Sequence, residues 1–136
     1  MWAYWLSVPE HWREIPARYR LEGGQCEDCG FKMIPKRDVC PRCGSKNVRP
    51  VKLPRKGKVI EYTKVWNPPR GYEYYTPYVI ALVELEDGTR LTAQLTDVDP
   101  DEVKEGMEVE MVLRKVRVSG ESGLIAYAYK FRPLLK

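Results

Sequence analysis

Four cysteines stand in two C-x-x-C-G knuckles, Cys26-Glu27-Asp28-Cys29-Gly30 and Cys40-Pro41-Arg42-Cys43-Gly44. The chain has no other cysteine, and ten residues separate Cys29 from Cys40. A thiolate pair two residues apart grips one side of a Zn²⁺ ion, and a second pair completes a tetrahedral four-sulfur shell. The glycine after each pair suits a tight turn, because it accepts positive φ without strain. Cys26, Cys29, Cys40 and Cys43 are therefore the expected ligands of one structural zinc.

Competing chemistries fit the pattern less well. Two disulfides would use the same residues, but no secretory signal precedes them, which favours a reducing compartment. A redox C-x-x-C sits alone at a helix start in a βαβ setting. A catalytic zinc needs an open position or a non-cysteine ligand, and the only histidine, His11, lies far upstream. The metal is expected to clip together a segment too short to build its own core.

The 136 residues, 43% of them hydrophobic, suit one medium domain or two small ones. No apolar run reaches membrane-spanning length, so a soluble, cytoplasmic protein is expected. The net charge of +4 is unevenly spread. Lys32 to Lys58 holds ten basic residues and one acid, whereas Glu84 to Glu110 holds ten acids and two basic residues. A basic pole by the ribbon and an acidic pole beyond it would steer partners.

The elements that must position the thiols follow in order. Ser7-Val8-Pro9-Glu10 reads as a capping box opening a short helix that Pro16 interrupts. Trp2, Trp5 and Trp12 crowd this arm, and two readings stand: they pack on the rest of the chain, or they dock on another protein. Gly23-Gly24 leads into the ribbon, and Val48 to Leu53 reads as an extended linker. From Gly57 the pattern turns to strands at 58–66, 78–85, 90–95, 108–118 and 124–132. Asp87-Gly88 marks a hairpin, and Asp99-Pro100 starts a one-turn helix between the third and fourth strands. That order predicts a small Greek-key OB barrel. The fold class expected is mainly β: a helical arm (1–22), a rubredoxin-like zinc ribbon (23–54) and a five-stranded OB-fold domain (55–136), the last two with separate cores.

Tyr19-Arg20-Leu21-Glu22-Gly23-Gly24, the paired knuckles and the barrel segments Pro77 to Leu85, Gly106 to Val109 and Tyr129 to Pro133 carry a resemblance. The chain resembles archaeal and bacterial zinc-ribbon/OB-fold proteins formerly grouped as a domain of unknown function. The resemblance implies a non-catalytic subunit of acyl-CoA enzymes. It implies as partners an acetoacetyl-CoA thiolase and a hydroxymethylglutaryl-CoA synthase of the mevalonate pathway. The small protein would bridge the two and help enclose a shared site for the pantetheine arm of CoA.

The residues themselves are compatible with that role. No Ser/His/Asp set and no glycine-rich phosphate loop is visible, so no catalytic residue is assigned. Arg70, Tyr72, Tyr74 and Tyr75 form an aromatic–basic loop that could cover a CoA thioester, or simply be a loose tip without a partner. A single-stranded nucleic-acid-binding module is the alternative, since zinc ribbons and OB barrels both serve that use. The acidic run in an electrically neutral barrel half weighs against it.

Overall fold

The computed structural model describes residues 8–69, 72–74, 76–118 and 124–135, excepting the side chains of 117 and 118. Helix α1 (Val8–Arg20) is followed by β1 (Glu22–Cys26), β2 (Lys32–Met33) and β3 (Val48–Lys52), which form a three-stranded sheet in the order β2-β1-β3. Then come β4 (Lys56–Val65), β5 (Tyr78–Leu85), β6 (Arg90–Leu95), a 3-10 turn (Pro100–Glu102), β7 (Glu108–Val118) and β8 (Ile125–Pro133). These five strands close a barrel in the order β4-β5-β6-β8-β7. This is the expected OB arrangement, with the helical turn between its third and fourth strands.

Alternation builds the barrel core. Val79, Ala81, Val83 and Leu85 of β5 point inward, as do Leu91, Ala93 and Leu95 of β6. Phe131 of β8 is fully buried where β6 and β8 meet in parallel at Leu95 and Phe131. The Thr96 N–H donates to the Phe131 carbonyl at 2.8 Å and locks that closure.

Three expectations are corrected. Val48 to Lys52 is no linker: it pairs with β1 from Glu22↔Lys52 to Cys26↔Val48, so the ribbon becomes a real sheet. Gly23 and Gly24 lie inside β1, where a Cβ at Gly23 would sit 2.1 Å from the Met33 carbonyl oxygen. Glycine is there for close strand approach, within the sheet and not merely leading into it. Helix α1 also runs through Pro16 to Arg20. Interior proline costs about 3 kcal/mol, and tertiary packing overrides that cost. The Tyr19 ring meets the Tyr127 ring of β8 edge-on at 6.3 Å, and His11 is buried beside Tyr19.

The ribbon and barrel also share apolar core. Leu21, at the end of α1, and Leu53, after β3, are 0% and 2% exposed within the barrel cluster, with Ile34 and Val51 packed against it. The separate ribbon cluster is small: Cys26, Met33 and Cys40, flanked by Phe31 and Val48. Separate cores therefore describe the knuckles alone.

A polar tie joins the same units. Lys32 of β2 donates to Asp87 of the β5–β6 hairpin at 2.9 Å. Burial works to raise the Asp87 carboxyl, but Lys32 and the Thr89 backbone N–H outweigh it and hold it below its ordinary value. A carboxyl lowered in the folded state contributes stability in full above its unfolded value, near about 4, and loses it as pH falls through the folded value. Asp87→Asn should thus be less stable than wild type near neutral pH, with the difference shrinking below about pH 4. Urea midpoints measured across that range check this, and a constant difference would contradict it.

Among the described residues, no helix is long and apolar enough to cross a membrane.

Candidate zinc centre and aromatic loop

Two turns of the same design bring the thiols together. The Gly30 N–H donates to the Cys26 carbonyl at 2.9 Å, and the Gly44 N–H donates to the Cys40 carbonyl at 2.9 Å. Both glycines have φ of 76°, the left-handed conformation that only glycine adopts without strain. Each turn is closed from behind, by Cys26 N–H to the Phe31 carbonyl and by Cys40 N–H to the Ser45 carbonyl. The Arg42 N–H reaches the Cys40 sulfur at 3.4 Å. Cys26 belongs to β1, so pairing with β2 and β3 fixes one knuckle's position. A contact absent from the motif ties the knuckles: Asp28 accepts from the Ser45 hydroxyl and the Asn47 amide.

The four sulfurs lie within 4.8 Å of one another, with Cys26 to Cys43 at 3.5 Å and Cys29 to Cys40 at 3.6 Å. A disulfide requires about 2.05 Å between sulfurs. A tetrahedral ion with Zn–S bonds of about 2.3 Å requires sulfurs about 3.8 Å apart. The cluster fits zinc. Charge points the same way, because four thiolates this close repel one another unless a cation lies between them. The set accordingly splits. The Cys29 backbone N–H lowers the Cys26 thiol. Burial pushes Cys40 up, but the Cys43 and Arg42 backbone groups bring it down to about 7. The Phe31 backbone N–H lowers Cys29, but burial and hydrogen bonding with Cys40 and Cys26 leave it raised. Cys43 is pushed up to about 12, as Cys26, burial and the other thiols overcome the Ser45 backbone N–H. A divalent cation removes that conflict and could be held as a structural zinc ion.

The aromatic loop is only partly gathered. Tyr72 is half-buried, its ring 5.5 Å from that of Tyr78. Tyr74 is 97% exposed, while Arg70 and Tyr75 lie outside the described residues. Trp12 is 74% exposed on α1, and Trp2 and Trp5 also lie outside the described residues. One residue escaped the sequence reading. The Lys130 ammonium stands 5.7 Å from the centre of the Tyr72 ring, and Lys130 is buried. A lysine among the aromatic residues of β8 was the available signal.

A four-thiol ribbon feeding a closed five-stranded barrel defines a zinc-ribbon/OB-fold protein. Residues 13–49 match the family described as ChsH2, rubredoxin-like zinc ribbon domain, and residues 50–114 match ChsH2, C-terminal OB-fold domain. The chain belongs to this ChsH2 (DUF35) family. It is 56% identical over 131 residues to a DUF35 domain-containing scaffold protein of Pyrococcus furiosus, covering 96% of each chain. It is 32% identical to benzoylsuccinyl-CoA thiolase subunit BbsA of Geobacter metallireducens, covering 84% of this chain and 75% of the relative. A solved chain described as Ltp2-ChsH2(DUF35) aldolase superposes with a TM-score of 0.72 at 31% identity, covering 94% of this chain and 96% of that one.

Proposed function

We propose that this protein is a non-catalytic scaffold subunit of an acyl-CoA enzyme complex, working in the cytoplasm. Its partners in this reading are an acetoacetyl-CoA thiolase and a hydroxymethylglutaryl-CoA synthase of the mevalonate pathway. The observation that carries the reading is end-to-end similarity to proteins named scaffold. A relative named as a thiolase subunit supports the acyl-CoA context. A solved relative is described as Ltp2-ChsH2(DUF35) aldolase, which couples the family name to an enzyme's.

Each segment has a part. The arm (1–22) presents Trp12, an exposed aromatic anchor of the kind that dominates protein interfaces. The ribbon (23–54) holds Zn²⁺ through Cys26, Cys29, Cys40 and Cys43. When bound, the ion supplies a cross-link and no reaction step. The barrel (55–136) offers the loop with Arg70, Tyr72, Tyr74 and Tyr75 to the CoA/pantetheine site. Tyr72 is braced by Tyr78 while Tyr74 projects, so the first would position and the second would contact a ligand or partner. Holding two enzymes on one small body raises the effective concentration of each at the other. A shared thioester then reaches the second site before it escapes.

Affinity capture of the tagged chain from its host should retain a thiolase and a synthase together. Trp12→Ala should weaken capture of one of them about tenfold or more, as expected for a hot-spot aromatic. An eluate holding neither enzyme would refute the reading, and salt-sensitive capture of single-stranded nucleic acid instead would favour the alternative.

A further inference from the structure

Lys130 is an anomaly within an otherwise ordinary barrel strand. It is 8% exposed, yet no ion pair among the described residues engages it. Buried lysines are rare unless paired, because a desolvated ammonium without an anion is costly. The carboxylates that line the two clefts with it are already paired: Glu14 with Arg18 at 2.5 Å, and Asp97 with Arg114 at 2.8 Å. The Tyr72 ring over the ammonium offers partial compensation through its π face. Burial, reinforced by Arg114, holds the Lys130 ammonium below its ordinary pKa, in keeping with a charge that lacks a counter-ion.

The surroundings are built to receive something. Two clefts, of about 340 and 330 Å³, meet here, and Lys130 and Gln94 line both. The first runs between α1, the loop after β2 and the barrel; Ala17, Ile34, Pro35 and Val116 form an apolar stretch of its wall, and the Glu14–Arg18 pair stands on its α1 side. A partly apolar trough ending in an ammonium and a primary amide matches a short organic acid: methylenes along its apolar stretch, the carboxylate at Lys130 and Gln94.

We propose that Lys130 and Gln94 form a binding site for the carboxylate of a small, partly apolar organic acid lying in the trough beneath α1. It deepens the scaffold reading by naming a ligand class, and rests on that reading only in taking the natural ligand to be a thioester whose acyl part carries a second, free carboxylate. The site itself is tested on the lone protein.

Hexanoate, titrated into the full-length zinc-loaded chain and followed by calorimetry and amide NMR, should bind saturably and shift residues of α1 and β8. Hexanamide, of equal size and no charge, should bind at least tenfold more weakly. Lys130→Met keeps the length and apolar stem, and should lose hexanoate binding at least tenfold while melting no lower than wild type. Gln94→Leu should weaken binding severalfold. If Lys130→Met proves unfolded, the hexanamide comparison and Gln94→Leu decide the matter. Equal binding of acid and amide, undiminished binding by Lys130→Met, or no saturable binding by wild type would each overturn the site. Any of these results leaves capture of the partner enzymes untouched, so the two readings fail separately.

Discussion

Removing the metal is expected to unfold far more than the ribbon. Structural zinc contributes about 10–16 kcal/mol of binding free energy in small metal-dependent domains, against a total stability of about 5–15 kcal/mol for a typical domain. Among the described residues the knuckles have a buried core of just Cys26, Met33 and Cys40, flanked by Phe31 and Val48, too little apolar surface to replace a lost ion. Had the two units been independent, chelation would leave the barrel intact. They are not independent, because Leu21 and Leu53 flank the ribbon sheet and lie inside the barrel cluster. Their backbones are tied as well, Leu53 N–H to the Leu21 carbonyl at 3.1 Å. Cys40→Ser, or chelation of wild type, should thus lower the barrel's thermal midpoint along with the ribbon's. Amide resonances of β5 and β6 should melt earlier in the variant. If those strands keep the wild-type midpoint while the knuckles unfold, the shared core contributes little.

The second large effect is expected at Leu21. This residue is fully buried and holds φ of 54°, a left-handed conformation disfavoured for a branched side chain. It ends α1 and turns the chain into β1, where glycine or asparagine is the usual choice. Leucine is there because its side chain fills the barrel cluster from outside the barrel's own strands. Leu21→Ala should cost about 2–5 kcal/mol, the range for a truncated core leucine. The alanine keeps the backbone strain, whereas glycine relieves about 1–2 kcal/mol of it. Leu21→Gly is therefore expected to be no less stable than Leu21→Ala, reversing glycine's usual disadvantage. Denaturant melts of the two variants side by side give the order. A clearly less stable glycine variant would mean that the left-handed turn stores no strain.

Much of the molecule was written locally. The thiol pairs and their glycines specify the zinc knuckles, because ligand spacing and positive φ are properties of a few adjacent residues. Five β-rich stretches, with Asp87-Gly88 and Asp99-Pro100 between them, specify the barrel by alternation and turn chemistry. The scaffold reading drew on resemblance rather than on any residue's chemistry. The failures were all non-local. Pro16 reads as a helix stop until β8 is present to hold the last turn. Gly23 and Gly24 read as a lead into the ribbon until Met33 is seen to press against their strand. Val48 to Lys52 reads as linker because Pro50, with Arg49 and Lys52 around it, hides a strand whose partner lies more than twenty residues earlier.

The same divide runs through the sites. Sequence alone determined which residues could hold a metal, since four sulfurs in two short turns carry their own geometry. Only the folded chain decided that Leu21 and Leu53 weld the ribbon to the barrel, and that Lys130 is buried with no partner acid among the described residues. Burial and charge pairing depend on what the rest of the chain brings to a point in space, and no stretch of residues states that by itself.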